Sequence, residues 1–281
     1  MTNEKLLTNT WKSDIIYTVK ERESRKARKE KTMYIMIFDT ETTNLERPFC
    51  YNIGYTVLDT ETNTVVLEKD YVVEQIWHNV PLFSSAYYAD KRPIYVSRMK
   101  ARKTIMKKYG YIMQDMIKDI NKYDICAAYA YNSSFDEKVF NFNCDWFKCI
   151  NPFDNIPIFD IRGYVHNKIA FTAEYQSFCE TNQFFTESGN YSTTAEALFR
   201  YISKQLDFVE EHTALSDSKI ETEILKYCVS LGAVYNKEYK VYRSVPRKVD
   251  KTMNIYINGE LESVYTYSKR INKGNDIYLK D

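Results

Sequence analysis

The chain has 281 residues, 44% of them hydrophobic, and its 39 Lys and Arg face 38 Asp and Glu for a net charge of +1. That length suits one large domain, alone or with appendages, and the charge balance excludes a protein that draws in nucleic acid by its overall field. Phosphate binding would have to come from a local basic patch or from bound metal.

Seven glycines form neither a P-loop nor a G-x-G-x-x-G motif, which argues against a Gly-rich phosphate cradle. The 25 tyrosines either supply stacking surfaces for bases or reflect composition alone. Cys50, Cys126, Cys144, Cys149, Cys179 and Cys228 follow no disulfide framework, and the Cys144/Cys149 pair has no histidine nearby to complete a zinc site. Reduced thiols are expected. There is no signal-peptide core and no apolar run of ~18 residues, so a cytoplasmic protein with no membrane partner is expected.

In chain order, residues 1–31 form a charged N-terminal arm ending in KERESRKARKEK, either a nucleic-acid arm or a solvated helix. Residues 34–38 (YIMIF) predict a buried strand. Residues 51–58 and 64–73, flanking the polar turn 59–63, complete a three-stranded antiparallel meander. Residues 76–123 read as helices and loops. Within them, 91–108 carry no acid and present either a phosphate-contacting surface or an ordinary solvated helix face. A strand is predicted at 124–131, a helix at 134–144 and a short strand at 156–159. Helices follow at 162–181, 193–206 and 214–231, the last stopped by Gly232. This order predicts an α/β fold with a mixed central sheet and helices on both faces. Two β-like runs around Asn258-Gly259 predict a hairpin. The domain reading is an arm at 1–31, a main domain at 32–238 and a small β-rich appendage at 239–281.

Four acids and one histidine stand out by position. Asp39 and Glu41 lie two apart where the apolar run ends, and strand alternation puts i and i+2 on one face, so both carboxylates can meet one cation. Asp136 lies in AYNSSFDEKVF, where Asn132 or Ser133 can cap a helix that holds Asp136 in its first turn. The helix dipole alone also favours an acid there. Asp217, Ile220, Ile224, Cys228 and Leu231 fall on one helical stripe, so Asp217 faces inward, where a carboxylate needs a partner or a metal. His212 lies five residues earlier, in the preceding loop. Clustered carboxylates repel one another and persist only if cations neutralise them. Oxygen ligands select Mg²⁺ or Mn²⁺, and two such ions can clamp the attacking and leaving oxygens of a phosphodiester.

These segments resemble the three motifs of the DEDD exonuclease superfamily in its histidine-containing (DEDDh) branch: FDTETTNL at 38–45, YNSSFD at 131–136 and HTALSD at 212–217. The last carries the His-x4-Asp spacing of the branch. TAEALFRYI before it and ETEIL after it are similar to small phage and bacterial members. The resemblance covers residues 33–232. Asn44 departs from a frequent Gly, and Tyr131 from a frequent His.

The resemblance implies a ribonuclease-H-like fold and a two-metal 3′→5′ exonuclease releasing nucleoside monophosphates from nucleic acid, with single-stranded DNA the favoured substrate. Asp39, Glu41 and Asp217 would hold the ion that activates water, Asp39 and Asp136 the second, with His212 as general base. Thr42, Thr43, Leu45 and Asn132 would line the terminal nucleotide, while Phe135 packs the core. Three alternatives stay open: an RNA or oligonucleotide exonuclease of the same fold, a nucleic-acid-binding module without catalysis, and a homodimer that shares basic surface in trans.

Overall fold

The computed structural model describes residues 33–257, 260–270 and 277–279. The charged arm at 1–31 and the Asn258-Gly259 turn lie outside them. The meander forms as the sequence predicts, from β1 (Tyr34–Thr42), β2 (Cys50–Asp59) and β3 (Thr64–Val73). On the other side of β1 lie β5 (Ala127–Ala130) and β6 (Ile158–Asp160), both parallel. A further strand, β4 (Ile105–Lys107), closes the far edge parallel to β3, giving the order β4-β3-β2-β1-β5-β6. β4 was not expected. It lies in the basic stretch, and three residues are too few to show a strand period; their pairing comes from the β3 edge.

β1 is buried on both sides, which is why it reads as an unbroken apolar run. Met36 and Phe38 face α4 (Tyr109–Tyr123) and α5 (Ser133–Phe147). Ile35 and Ile37 face α6 (Ile161–Lys168), α8 (Ala195–Ser203) and α9 (Ala214–Ser230). The helix expected at 162–181 is two helices. Its second half, α7 (Ala173–Asn182), begins where the Thr172 side chain accepts from the Tyr175 N–H, 3.2 Å. Thr194 caps α8 in the same way. Leu231 does not complete the inward stripe of α9: it is exposed and ends the helix just before Gly232, at φ +83°. Between β3 and α4 the chain forms α1 (Glu74–Trp77), α2 (Val80–Phe83), a 3₁₀ turn at Ala89–Lys91 and α3 (Arg92–Lys100).

The first turn of α9 rests directly on β2. A Cβ at Gly54 would lie 2.0 Å from the Leu215 backbone N. Beside it, the buried Asn52 side chain accepts from the Ala214 N–H (2.8 Å) and the Tyr95 hydroxyl (3.0 Å) and donates to Asp70 (2.7 Å) and to the Tyr71 carbonyl (2.9 Å). Two residues beyond Gly54 on β2, Thr56 shares a 2.7 Å hydrogen bond with Thr222.

After α9 the chain folds back along the domain. The Tyr239 carbonyl covers Gly163, Val245 bridges to Tyr191, and Arg247 grips Glu180 through two hydrogen bonds of 2.7 and 2.6 Å. β7 (Lys248–Ile257) and β8 (Glu260–Arg270) form the expected hairpin, with β9 (Ile277–Leu279) parallel to β7. Among the described residues, no helix is long and apolar enough to cross a membrane.

Gly54→Ala should lower the unfolding free energy by about 3 kcal/mol, because a methyl there displaces backbone. The measurement is the urea midpoint at unchanged m. Gly110→Ala, whose added methyl meets nothing nearer than 3.7 Å, should leave the midpoint unchanged or slightly higher.

Candidate active site

β1 and α9 carry most of the acids. Asp39 and Glu41 project to the α9 side of β1, as the spacing of two requires. Asp217 sits in the first turn of α9, and ligand atoms of these three residues all lie within 4.8 Å of one another. Asp136, in the first turn of α5, approaches from the opposite face of the sheet and accepts a hydrogen bond from the Thr40 hydroxyl, 2.7 Å. Asn132 does occupy the N-cap of α5, but at φ +67° its side chain caps nothing. Its Oδ1 accepts from Arg162 instead, 3.1 Å.

Two further acids complete the cluster. Glu221 lies one turn after Asp217 on the same helix face, 3% exposed. Helical spacing could have found it, since i and i+4 share a face. Glu210, just before the His212 loop, lines the same cleft; irregular backbone gives no such signal.

Burial and mutual repulsion set the protonation of these groups. Asp217 is pushed up to about 9 by burial and then by Glu210 and Glu41. Glu41 rises to about 8 through burial and then Asp136; Tyr51 opposes this from close by, although its hydroxyl completes no hydrogen bond of regular geometry. Asp136 and Glu210 rise to about 7, mainly by burial. Asp39 and Glu221 are held well above the usual carboxylate range by burial first and neighbouring acids second. Asp217 Oδ1 and Glu221 Oε2 are buried with no hydrogen-bond partner. Oxygen donors grouped this closely, with unpartnered atoms among them, fit hard divalent cations.

His212 adopts the left-handed region at φ +55°. Residues of the segment between β3 and α4 hold it there. Tyr88 stacks on the imidazole at 4.3 Å between centroids and 11° between planes. Arg98 of α3 binds the neighbours on both sides, Glu211 and the Thr213 hydroxyl, and pairs with buried Asp70 at 3.7 Å. Burial lowers the His212 pKa, with Lys91 adding to the effect, so the ring is neutral at neutral pH.

The basic stretch 91–108 therefore divides. Arg98 serves the His212 loop, Arg92 lies over Trp77 and Phe83, and Lys107 pairs with Asp115. Lys100, Arg102, Lys103 and Lys108 are exposed. Of the residues expected at the terminal nucleotide, Asn132 lines the cleft, Leu45 is exposed at the end of the β1–β2 turn, and Thr43 is fully buried. Thr42 is half-buried, its hydroxyl pointing to the Asn44 carbonyl. Asn44 does not take a left-handed backbone: its Oδ1 accepts from the Arg47 N–H at 2.7 Å and closes the turn that way. Phe135 packs against the core as expected. The cleft, about 490 Å³, is lined by Asp39, Glu210, Asp217 and Glu221 together with Arg162 and Arg243. The two arginines are brought there by α6 and by the returning tail.

No family model matches the chain, and no curated protein matches it. Solved structures do. The nuclease domain of 3′hExo, described as a DEDDh family member and bound to rAMP, aligns at TM-score 0.49 with 14% identity, over 77% of this chain and 99% of that one. A 3′-exonuclease recognising the histone mRNA stem-loop aligns at TM-score 0.52 with 13% identity, over 85% and 92%. A full-length 3′-exonuclease aligns at TM-score 0.50 with 14% identity, over 77% and 94%. The last two, with the sheet order and the helices on both faces, define the fold as the ribonuclease-H-like α/β fold of 3′-exonucleases.

The raised carboxylates make the metal-free fold pH-sensitive. Unfolded carboxyls release their protons near 4, but Glu41 and Asp217 retain theirs to about 8 and about 9. The folded state thus binds more protons, and stability falls as pH rises through this window. In chelator, Tm should drop between pH 7 and 8.5, above the histidine range. Saturating Mg²⁺ should raise Tm and flatten the slope, and Asp217→Asn should shrink the drop in chelator. Separately, Tyr88→Ala uncovers the imidazole, so the His212 pKa followed by NMR should rise towards ~6.5, while Tyr88→Phe leaves it in place.

Proposed function

We propose that the chain is a divalent-metal-dependent 3′→5′ exonuclease that hydrolyses single-stranded nucleic acid, preferentially DNA, to nucleoside monophosphates. The observation that carries this reading is the convergence of Asp39, Glu41 and Asp217 within 4.8 Å, with the neutral imidazole of His212 on the loop before Asp217. Asp39, Glu41 and Asp217 would hold one cation, and Asp39 with Asp136 a second, of Mg²⁺ or Mn²⁺. When bound, the ions supply positive charge where the phosphodiester becomes more negative.

The chain's own groups do the rest. His212 accepts the proton of the attacking water. The left-handed backbone, the Tyr88 stack and the Arg98 contacts fix where its ring points. Arg162 and Arg243 give the cleft the local positive charge that the chain lacks overall, and they meet phosphate oxygens as bidentate donors. Asn132, Thr42 and Leu45 border the terminal nucleotide. The second reading keeps the chemistry and changes the sugar to ribose; the neighbour that recognises an mRNA stem-loop favours it.

The test uses 5′-labelled single-stranded DNA and RNA of one sequence, with Mg²⁺, with Mn²⁺ and with chelator. A ladder shortening from the 3′ end only with metal is expected, faster on DNA. Asp39→Ala should abolish it without unfolding the protein, and His212→Ala should slow it by roughly 10²–10⁴. No cleavage of either polymer in either metal overturns the reading, and faster RNA cleavage selects the second.

A further inference from the structure

We infer that Glu221 is a fifth carboxylate of the metal centre, a direct oxygen ligand to a hard divalent cation alongside Asp39 and Asp217. The inference rests on reading the Asp39–Glu41–Asp217 group as a cation site, and it adds a residue outside the four acids of the motifs.

Glu221 follows Asp217 by one turn of α9, and both side chains are buried. Both line the cleft with Asp39.

The Glu221 carboxylate lies beside the Tyr131 backbone, in the segment that leads to Asp136. Oε2 is buried and has no hydrogen-bond partner, and no Lys, Arg or His among the described residues pairs with Glu221. An uncompensated carboxylate at this depth is costly. A cation satisfies the bare oxygen and offsets the repulsion from Asp39 and Asp217 together.

The experiment titrates Mn²⁺ alone into full-length protein by calorimetry and by the loss of the free Mn²⁺ EPR signal, and it records Tm in chelator. Glu221→Gln should weaken Mn²⁺ binding at least ~10-fold with an unchanged or higher Tm in chelator, because the amide carries no charge to neutralise. Glu221→Asp keeps the charge and withdraws the oxygen by one methylene; it should also bind Mn²⁺ more weakly than the unsubstituted protein. Wild-type affinity in Glu221→Gln overturns the proposal, and wild-type affinity in Glu221→Asp reduces Glu221 to a nearby charge and overturns its role as a ligand. Asp39→Asn separates the two readings. If it loses Mn²⁺ binding while Glu221→Gln does not, the metal centre stands and the fifth ligand falls. If the unsubstituted protein binds no Mn²⁺, the metal centre itself falls.

Discussion

Everything at the site depends on how closely the first turn of α9 lies on β2. Gly54 removes the side chain that would hold the helix away, and Asn52 replaces water for the Ala214 N–H with a buried acceptor. Asn52 is fully used: its amide donates to Asp70 and Tyr71 while its oxygen accepts from Ala214 and Tyr95. A buried amide is tolerable only with such complete pairing. The contact sets the height of α9 against the sheet, and that height brings Asp217 level with Asp39 on the neighbouring strand. Without it, the same residues would be a polar strand end and an acid on a helix.

The energetics of this contact oppose one another. Ile220, Ile224 and Cys228 bury fully against Ile35, Ile37 and Tyr129, each worth about 1.5–3 kcal/mol for a large aliphatic group. On the same helix, Asp217 and Glu221 enter the interior as acids that repel Asp39. The apolar stripe thus holds the helix where its carboxylates would not choose to be. Such opposition between packing and charge is found where perturbed acids cluster at functional sites.

The segment between β3 and α4 gains a clear task from the structure. Its absence of acids over 91–108 suggests a phosphate-binding face, yet its central arginine turns inward. Arg98 holds Glu211 and Thr213, and Tyr88 covers the ring between them. A histidine in the left-handed region needs such support, because the surrounding structure must over-determine an uncommon backbone conformation. The segment is therefore first a buttress for one loop, and of its basic residues Lys100, Arg102, Lys103 and Lys108 remain exposed.

The residues that were legible in sequence are those whose spacing is itself geometry. Asp39 and Glu41 share a face because strands alternate, and Asp217 points inward because Ile220 and Ile224 do. By the same rule Glu221 was within reach, one turn along the stripe. The six-stranded sheet was legible except for β4, whose three residues have no pattern of their own and take their pairing from β3. The break at residues 169–172 was hidden because Ile169 and Ala170 are buried in the core, so their apolar character continues the helical pattern across it. Arg162 and Arg243 were illegible for a different reason: they reach the cleft from α6 and from a tail that returns through the Val245–Tyr191 bridge and the Arg247–Glu180 pair. Such a juxtaposition comes from long-range packing. It also resolves the puzzle posed by a net charge of +1. A polyanion needs positive charge only where it docks, and fields in a low-dielectric cleft are focused locally. Two arginines lining the same cleft as the carboxylate cluster provide that focus without making the whole chain basic.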